Sequence, residues 1–439
     1  MTSAIEAEFD TVLAADPTRT ARALREFEPR MVEARLVSAG QPLPVSLKPH
    51  FVDAPRVERW ALDAVALVAL INRVAPYVLA EPDLYARLGL PAAAHDLIAI
   101  EPGYADMAIV CRPDCVYDGA EMRVLEINAD CPGGAAWTDQ LQRFATSLLS
   151  TTDFDRRWQI DPPARAHGLH AALISAYREQ GGAEPTPRIA VVGWAGDKND
   201  GDRELAAIDF VGLGSPAALI DPRELSYRDG RLHARGERID IVNRRVQLHE
   251  FWERPDDLAV LTRAYRDGAV CMVTPLRAEV ATTKTLLALL QSADVRPHLT
   301  APERALVDTV LPPTCVVTAH TRAEVLTDHA TWVLKPGNGY AGAGITFGSE
   351  LTAADWQARV DHILAAGETW VAQRRAPTST YEVVTVANGA LAARTLNVTW
   401  GPWIQGGRFC GVTSRAAGGL LVNVAGGGAL MSGVTYRHV

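Results

Sequence analysis

Four residues on two short runs carry the first chemical signal. The segment IVCRPDCVYDGAEMRVLEINADCPGG, residues 109–134, places Arg112 two before Asp114 and Glu126 two before Asn128. Residues two apart on a strand share a face, so a hairpin pairing these runs gathers all four side chains on one side. The carboxylates of Asp114 and Glu126 and the amide oxygen of Asn128 suit a hard cation. Magnesium takes only a few protein oxygens and leaves room for phosphates. Arg112 beside them would hold a phosphate or acyl phosphate by charge-assisted hydrogen bonds. A salt-bridged surface hairpin would use the same residue types. Val124, Leu125 and Ile127 around the acidic pair argue against full exposure.

A second constellation is WVLKPGNGYAGAGITFG, residues 332–348. A strand delivers Lys335 to a glycine-rich loop whose backbone N–H groups can approach phosphate oxygens. Gly337, Gly339 and Gly342 match G-x-G-x-x-G. The residues after Gly342 alternate like a strand, however, where a dinucleotide fold requires a helix. The protein-kinase order fails because its lysine follows the glycine loop. No G-x-x-x-x-G-K-[ST], G-x-S-x-G or H-E-x-x-H occurs. A flap over a nucleotide remains, beside the plainer reading of a glycine-rich turn.

Three further segments complete the inventory. In ATTKTLLALL, residues 281–290, Thr283 is placed to cap a helix with Lys284 in its first turn. TWVAQRRA, residues 369–376, reads as an edge strand that could offer backbone groups to an adenine ring. In residues 411–429, Arg415 and Asn423 sit among glycines and small residues that allow close approach to a ligand.

These groups need elements to hold them. Residues 1–100 read mainly as helices, and the apolar run at 60–80 reads as a buried helix because Asp63, Asn72 and Arg73 interrupt it. The 109–134 segment reads as a hairpin turned at Asp118-Gly119. After a Pro/Gly-rich linker at 181–187, strand, helix and strand alternate to about residue 300, as in an open α/β domain, with a hairpin turned at Asp229-Gly230. The remainder is mixed helix and antiparallel strand. The fold class is therefore α+β and α/β, multidomain.

Composition excludes several classes. The 439 residues carry a net charge of −9 with no basic stripe, which disfavours nucleic acid. No basic and apolar leader opens the chain, so a cytoplasmic enzyme with no membrane partner is expected. Six cysteines, with no CxxC pair and no histidine completing a site, read as free thiols rather than a zinc centre.

Together the pieces resemble the circularly permuted ATP-grasp enzymes, the group that includes glutathionylspermidine synthetase. The resemblance rests on order: RPD and LEINADCPGG come early, then Lys284, then Lys335 with its glycine loop, then Gln373 in WVAQ, and last Arg415. In ordinary ATP-grasp ligases the E-x-N metal motif follows the lysines. The resemblance implies a circularly permuted ATP-grasp fold plus a small pre-ATP-grasp-like α/β domain. Residues 1–180 would be the helical region and core segment with the hairpin, 186–300 the small domain, 301–376 the lid with the flap, and 377–439 a return to the core. It implies that Asp114, Glu126 and Asn128 bind Mg2+, and that Lys284 and Lys335 contact the phosphates of ATP. Gly337, Gly339, Gly342 and Gly344 would form the flap, and Gln373 would meet the adenine. Arg112 and Arg415 would hold the transferred phosphate or the substrate.

Two departures accompany it. Arg374 and Arg375 stand where an acidic ribose contact is expected. The amidase domain of the glutathionylspermidine enzyme has no counterpart, so a polyamine substrate is not implied. The expected activity is an ATP-dependent carboxylate–amine ligase that passes through an acyl phosphate and joins two small molecules. Two amino acids are the first choice, with a γ-glutamyl dipeptide among the products. A polyamine or other amide ligase and a non-catalytic nucleotide-binding protein are the alternatives.

Overall fold

A computed structural model describes residues 3–15, 29–149, 153–340, 342–387, 390–422, 424 and 428–439. Asn423 lies outside them, as does Ala341 in the flap.

Strands from both ends of the chain share the largest sheet, which has eight strands. Its main path runs His50–Asp53, Ala429–His438, Arg408–Ala417, Ala390–Gln405, Val110–Asp118, Glu121–Asn128. All of these pair antiparallel except His50–Asp53, which lies parallel to Ala429–His438. The strand His50–Asp53 departs from the helical reading of the first hundred residues. Three of its four residues are buried, so it shows none of the alternation that marks a half-exposed strand.

The next helix, Ala54–Ala80, starts at Asp53, whose side chain accepts from Arg56 N, with proline in its first turn. Among the described residues it is the one helix long and apolar enough to cross a membrane. Its inward face carries Trp60, Leu67, Ile71 and Val74, all buried in the main core. Asp63 and Arg73 lie off that face.

Residues 189–273 build a four-stranded parallel sheet in the order Cys271–Val273, Ile241–Arg244, Ile189–Val192, Ala217–Ile220. Ile189–Val192 and Cys271–Val273 are fully buried apolar runs, Ile241–Arg244 is buried but ends in Asn243 and Arg244, and the edge strand Ala217–Ile220 is only part-buried. The Asp229-Gly230 hairpin forms as read, with both φ angles positive.

A third sheet is antiparallel, in the order Thr314–Val316, Trp370–Arg374, Trp332–Pro336, Thr346–Phe347. Helix Ala353–Ala366 covers it, and Trp332, Trp356 and Trp370 fill the space between. Two readings need correction. Trp370–Arg374 is an inner strand, paired on both sides, because Thr314–Val316 adds outside it. Its backbone is committed up to Arg375 N, which donates to Thr331 O. The hairpin turn falls on Gly119 and Ala120, since Asp118 pairs with Glu121. Gly119, at φ 58°, supplies the left-handed residue.

Candidate functional site

The hairpin Val110–Asp118 and Glu121–Asn128 sets Arg112 opposite Asn128 and Asp114 opposite Glu126. The register then slips, so that Cys115 faces Val124 and Leu125 has no cross-strand partner. This β-bulge frees a carbonyl beside the acidic pair. Arg415 reaches Asp114 from strand Arg408–Ala417, across the intervening strand Ala390–Gln405, at 2.5 Å. Gly401 on that intervening strand makes room for Arg112: a Cβ there would lie 3.1 Å from Arg112 Cδ and 2.8 Å from Thr413 O. Arg112 Nε lies 3.2 Å from Asp114, its Nη1 donates to Gly133 O at 2.6 Å, and its guanidinium stands over Trp403. Asn128 Nδ2 donates to Arg112 O at 3.1 Å, which leaves Oδ1 as its ligand atom.

Lys284 opens helix Lys284–Leu290, where Thr283 caps by accepting from Leu286 N. Lys284 is buried. Its Nζ lies 3.2 Å from Glu126 and donates to Gly339 O at 2.9 Å. The neighbouring Thr282 hydroxyl accepts from Ala129 N and Asp130 N, fixing the lysine helix against the end of the hairpin.

Lys335 arrives from the third sheet. Its Nζ donates to Gln373 Oε1 at 2.6 Å and to the bulge carbonyl of Leu125 at 3.2 Å. Gln373 is thus hydrogen-bonded to the lysine while also lining the cavity.

Arg112, Asp114, Glu126, Asn128, Lys335, Gln373, Arg415 and Gly342 all line one cavity of about 210 Å³. Lys284 stands outside that lining, in contact with Glu126. Gly337, Gly339 and Gly344 also stay off the wall. Gly337 passes so close to Thr369 O that a Cβ would sit at 2.9 Å, and Gly344 takes φ 77° against Pro336. The flap is pinned by two side chains the sequence did not single out. Asn338 donates to Gly89 O at 2.7 Å, and Tyr340 donates to Glu279 at 2.8 Å. Burial and nearby Asp130 push the Glu279 carboxyl up to about 8.

Sequence reading also missed the apolar half of the cavity, formed by Val116, Leu125, Val333, Ile345 and Phe347, and its rim at Arg375 and Leu420 to Val422. One signal was available: Val333 and Phe347 are cross-strand partners on the strands that flank the glycine loop. Thr346–Phe347 being a strand also removes the dinucleotide reading.

Electrostatics divides the site. Burial raises the Asp114 carboxyl, but Arg415 and then Arg112 outweigh it and hold the group well below the usual carboxylate range. Burial lowers Lys335 to about 8, with Glu126 opposing the shift and Lys284 adding to it. Among the described residues no three His, Cys, Asp or Glu side chains are grouped to hold a metal. Two carboxylates and one amide oxygen on one face fit a cation that completes its shell with phosphate and water. Arg415 Nε, buried with no partner, leaves a donor for a further oxygen. Four cations, Arg112, Arg415, Lys284 and Lys335, face two carboxylates. That excess offsets a magnesium–triphosphate of about two negative charges.

Comparison with known proteins identifies the family and the fold. The model of the family "Circularly permuted ATP-grasp type 2" matches residues 94–409. A putative glutamate–cysteine ligase 2-3 of Frankia alni is 28% identical over 273 residues, covering 59% of this chain and 30% of that protein. The chain therefore spans under a third of that relative's length. An uncharacterized protein of Mycobacterium bovis is 26% identical over 389 residues, covering 84% of this chain and 68% of its own. Among solved structures, a glutathione synthetase-like effector from Globodera pallida superposes with a TM-score of 0.58 at 12% identity, covering 95% of this chain and 97% of that one. That likeness concerns the fold.

Proposed function

The chain belongs to the circularly permuted ATP-grasp type 2 family, and on that premise we propose that it is an ATP-dependent, ADP-forming ligase joining a carboxylate to an amine. One observation carries the reading: the paired carboxylates of the hairpin and the buried Lys335 stand on walls of one cavity. A substrate carboxylate takes the γ-phosphoryl group of ATP, giving an acyl phosphate and ADP. An amine then attacks the acyl carbon and phosphate leaves. The phosphoryl step turns a poor electrophile into a good one, so no side-chain nucleophile is required.

The chain's residues position and neutralise. Asp114, Glu126 and Asn128 would hold magnesium, which would neutralise phosphate charge during the transfer. Lys284 and Lys335 pair with phosphates, and Arg112 and Arg415 hold the transferred group. Here Arg112, Arg415 and Lys284 are paired with Asp114 and Glu126 instead, and Lys335 with Gln373 and the Leu125 carbonyl. Ligand binding trades those internal pairs for external ones, so the site is already charged and aimed. The apolar wall of Val116, Val333 and Phe347 accepts the base, and the flap keeps water from the acyl phosphate. The substrates are small amino-acid-like molecules, and a glutamate side-chain carboxylate is the first donor to try, in keeping with the name of the Frankia relative. Six free cysteines fit a reducing compartment such as the cytoplasm.

The test is incubation with ATP, magnesium and pooled amino acids. ADP and phosphate should appear only when donor and acceptor are both present, with a dehydrated conjugate in the mass spectrum. AMP and pyrophosphate would overturn the mechanism.

A pH dependence follows from Lys335. Its protonated form binds phosphate, and burial brings its pKa to about 8. ATP affinity of the free protein should therefore hold below about pH 8 and fall up to about tenfold per unit above it. Calorimetric titrations across that range, with Lys335→Met as the flat control, read this directly. A wild-type affinity that does not change through the range would remove Lys335 from phosphate binding.

A further inference from the structure

We propose that Thr314 and Gln373 are positioning residues that fix the direction of the Lys335 ammonium group. The inference rests on the nucleotide-binding reading above, gives Gln373 a second role and adds Thr314, which no motif marks.

The chain of hydrogen bonds has one consistent direction. Thr314 Oγ1 donates to Pro312 O at 2.7 Å, which uses its only proton. The hydroxyl can then only accept from Gln373, 3.2 Å away, so the amide must turn its NH2 towards it. The other proton of that NH2 meets Leu125 O at 3.3 Å. Oε1 is left facing Lys335 Nζ at 2.6 Å. The flipped amide would set its NH2 against the ammonium and its Oε1 against the Leu125 carbonyl and the Thr314 hydroxyl oxygen, opposing donor to donor and acceptor to acceptor. Thr314, Gln373 and Lys335 are all buried, with 7%, 3% and 6% of their surface exposed, so water does not substitute for a lost partner.

The bulge completes the clamp. Leu125, which has no cross-strand partner, lends its carbonyl to both Lys335 and Gln373. Two of the three ammonium protons are thereby spent on fixed acceptors, and one remains for a ligand in the cavity. The same contact ties the hairpin to the lysine sheet. The clamp therefore sets both the direction of the charge and its distance from Glu126. A lysine on a flexible four-carbon stem would otherwise lose rotamer freedom on binding.

Thr314→Val keeps the shape and removes the hydroxyl. Calorimetry of the free protein should show ATP binding weakened about fivefold, the effect of one buried hydrogen bond. Adenosine, which lacks phosphates, should bind as in wild type. Thr314→Ser should restore ATP affinity. Thr314→Ala serves in place of the valine variant if that protein does not fold. Unchanged ATP affinity in the folded variant, or equal loss for ATP and adenosine, would overturn the positioning role while leaving the ligase reading intact. A wild-type protein that binds no ATP would overturn both.

Discussion

Glu126→Gln should lower acceptor-dependent ADP release by about 10³-fold, the scale of removing one charged group from a preorganised phosphoryl-transfer site. The substitution keeps size and shape. The amide oxygen can still accept from Lys284, which lies 3.2 Å from the carboxylate. The Glu126 side chain is 25% exposed and sits on an edge strand of the large sheet, so folding does not depend on its charge. On the proposed metal role, what is lost is one of two anionic oxygen ligands, and Asp114, already paired with Arg415 and Arg112, would be left alone against the cation. An enzyme-coupled ADP assay reads the loss, and thermal unfolding confirms an intact fold. Activity within tenfold of wild type would remove Glu126 from the metal site.

The second large effect is on binding. Lys335→Met should raise the Kd for ATP by about 10- to 100-fold, corresponding to one charged hydrogen bond of roughly 1.5–3 kcal/mol. Binding and stability separate here. The buried ammonium carries a desolvation cost that lowers its pKa to about 8, whereas an unfolded lysine titrates in the ordinary range. That cost is present in full below about pH 8 and fades as pH rises towards the ordinary lysine value, where both states are neutral. Methionine removes the cost, so the variant should be at least as stable as wild type at neutral pH. Calorimetric titration with ATP alongside denaturant unfolding distinguishes the two outcomes. An unchanged Kd would exclude Lys335 from the phosphate site, whatever the stability.

Both effects concern residues legible from spacing. Alternation fixed the shared face of Arg112 and Asp114 and of Glu126 and Asn128, because the side-chain period of a strand is two. The strand after the glycine loop was legible for the same reason, the Lys335 strand as a short apolar run, and the helix led by Lys284 from its threonine cap. Other features were hidden. The buried strand His50–Asp53 carries no alternation, and the inner place of Trp370–Arg374 depends on a three-residue strand, Thr314–Val316, more than fifty positions away. The commitment of Gln373 to Lys335 was hidden too, since a glutamine beside a glycine-loop lysine has no local signature.

By itself the sequence determined the chemistry available here: oxygen ligands in strand register, a lysine before a glycine loop, and the permuted order in which they occur. These are local properties, set by backbone period, capping and composition. Only the tertiary structure decided which charges meet. Arg415 reaches across a whole strand to Asp114, Gly401 on that strand leaves room for Arg112, and the carbonyl freed by the Leu125 bulge fastens the lysine sheet to the hairpin. Such contacts join residues up to about three hundred positions apart. Packing, not sequence period, selects them, because buried charges must find partners wherever the folded chain provides them.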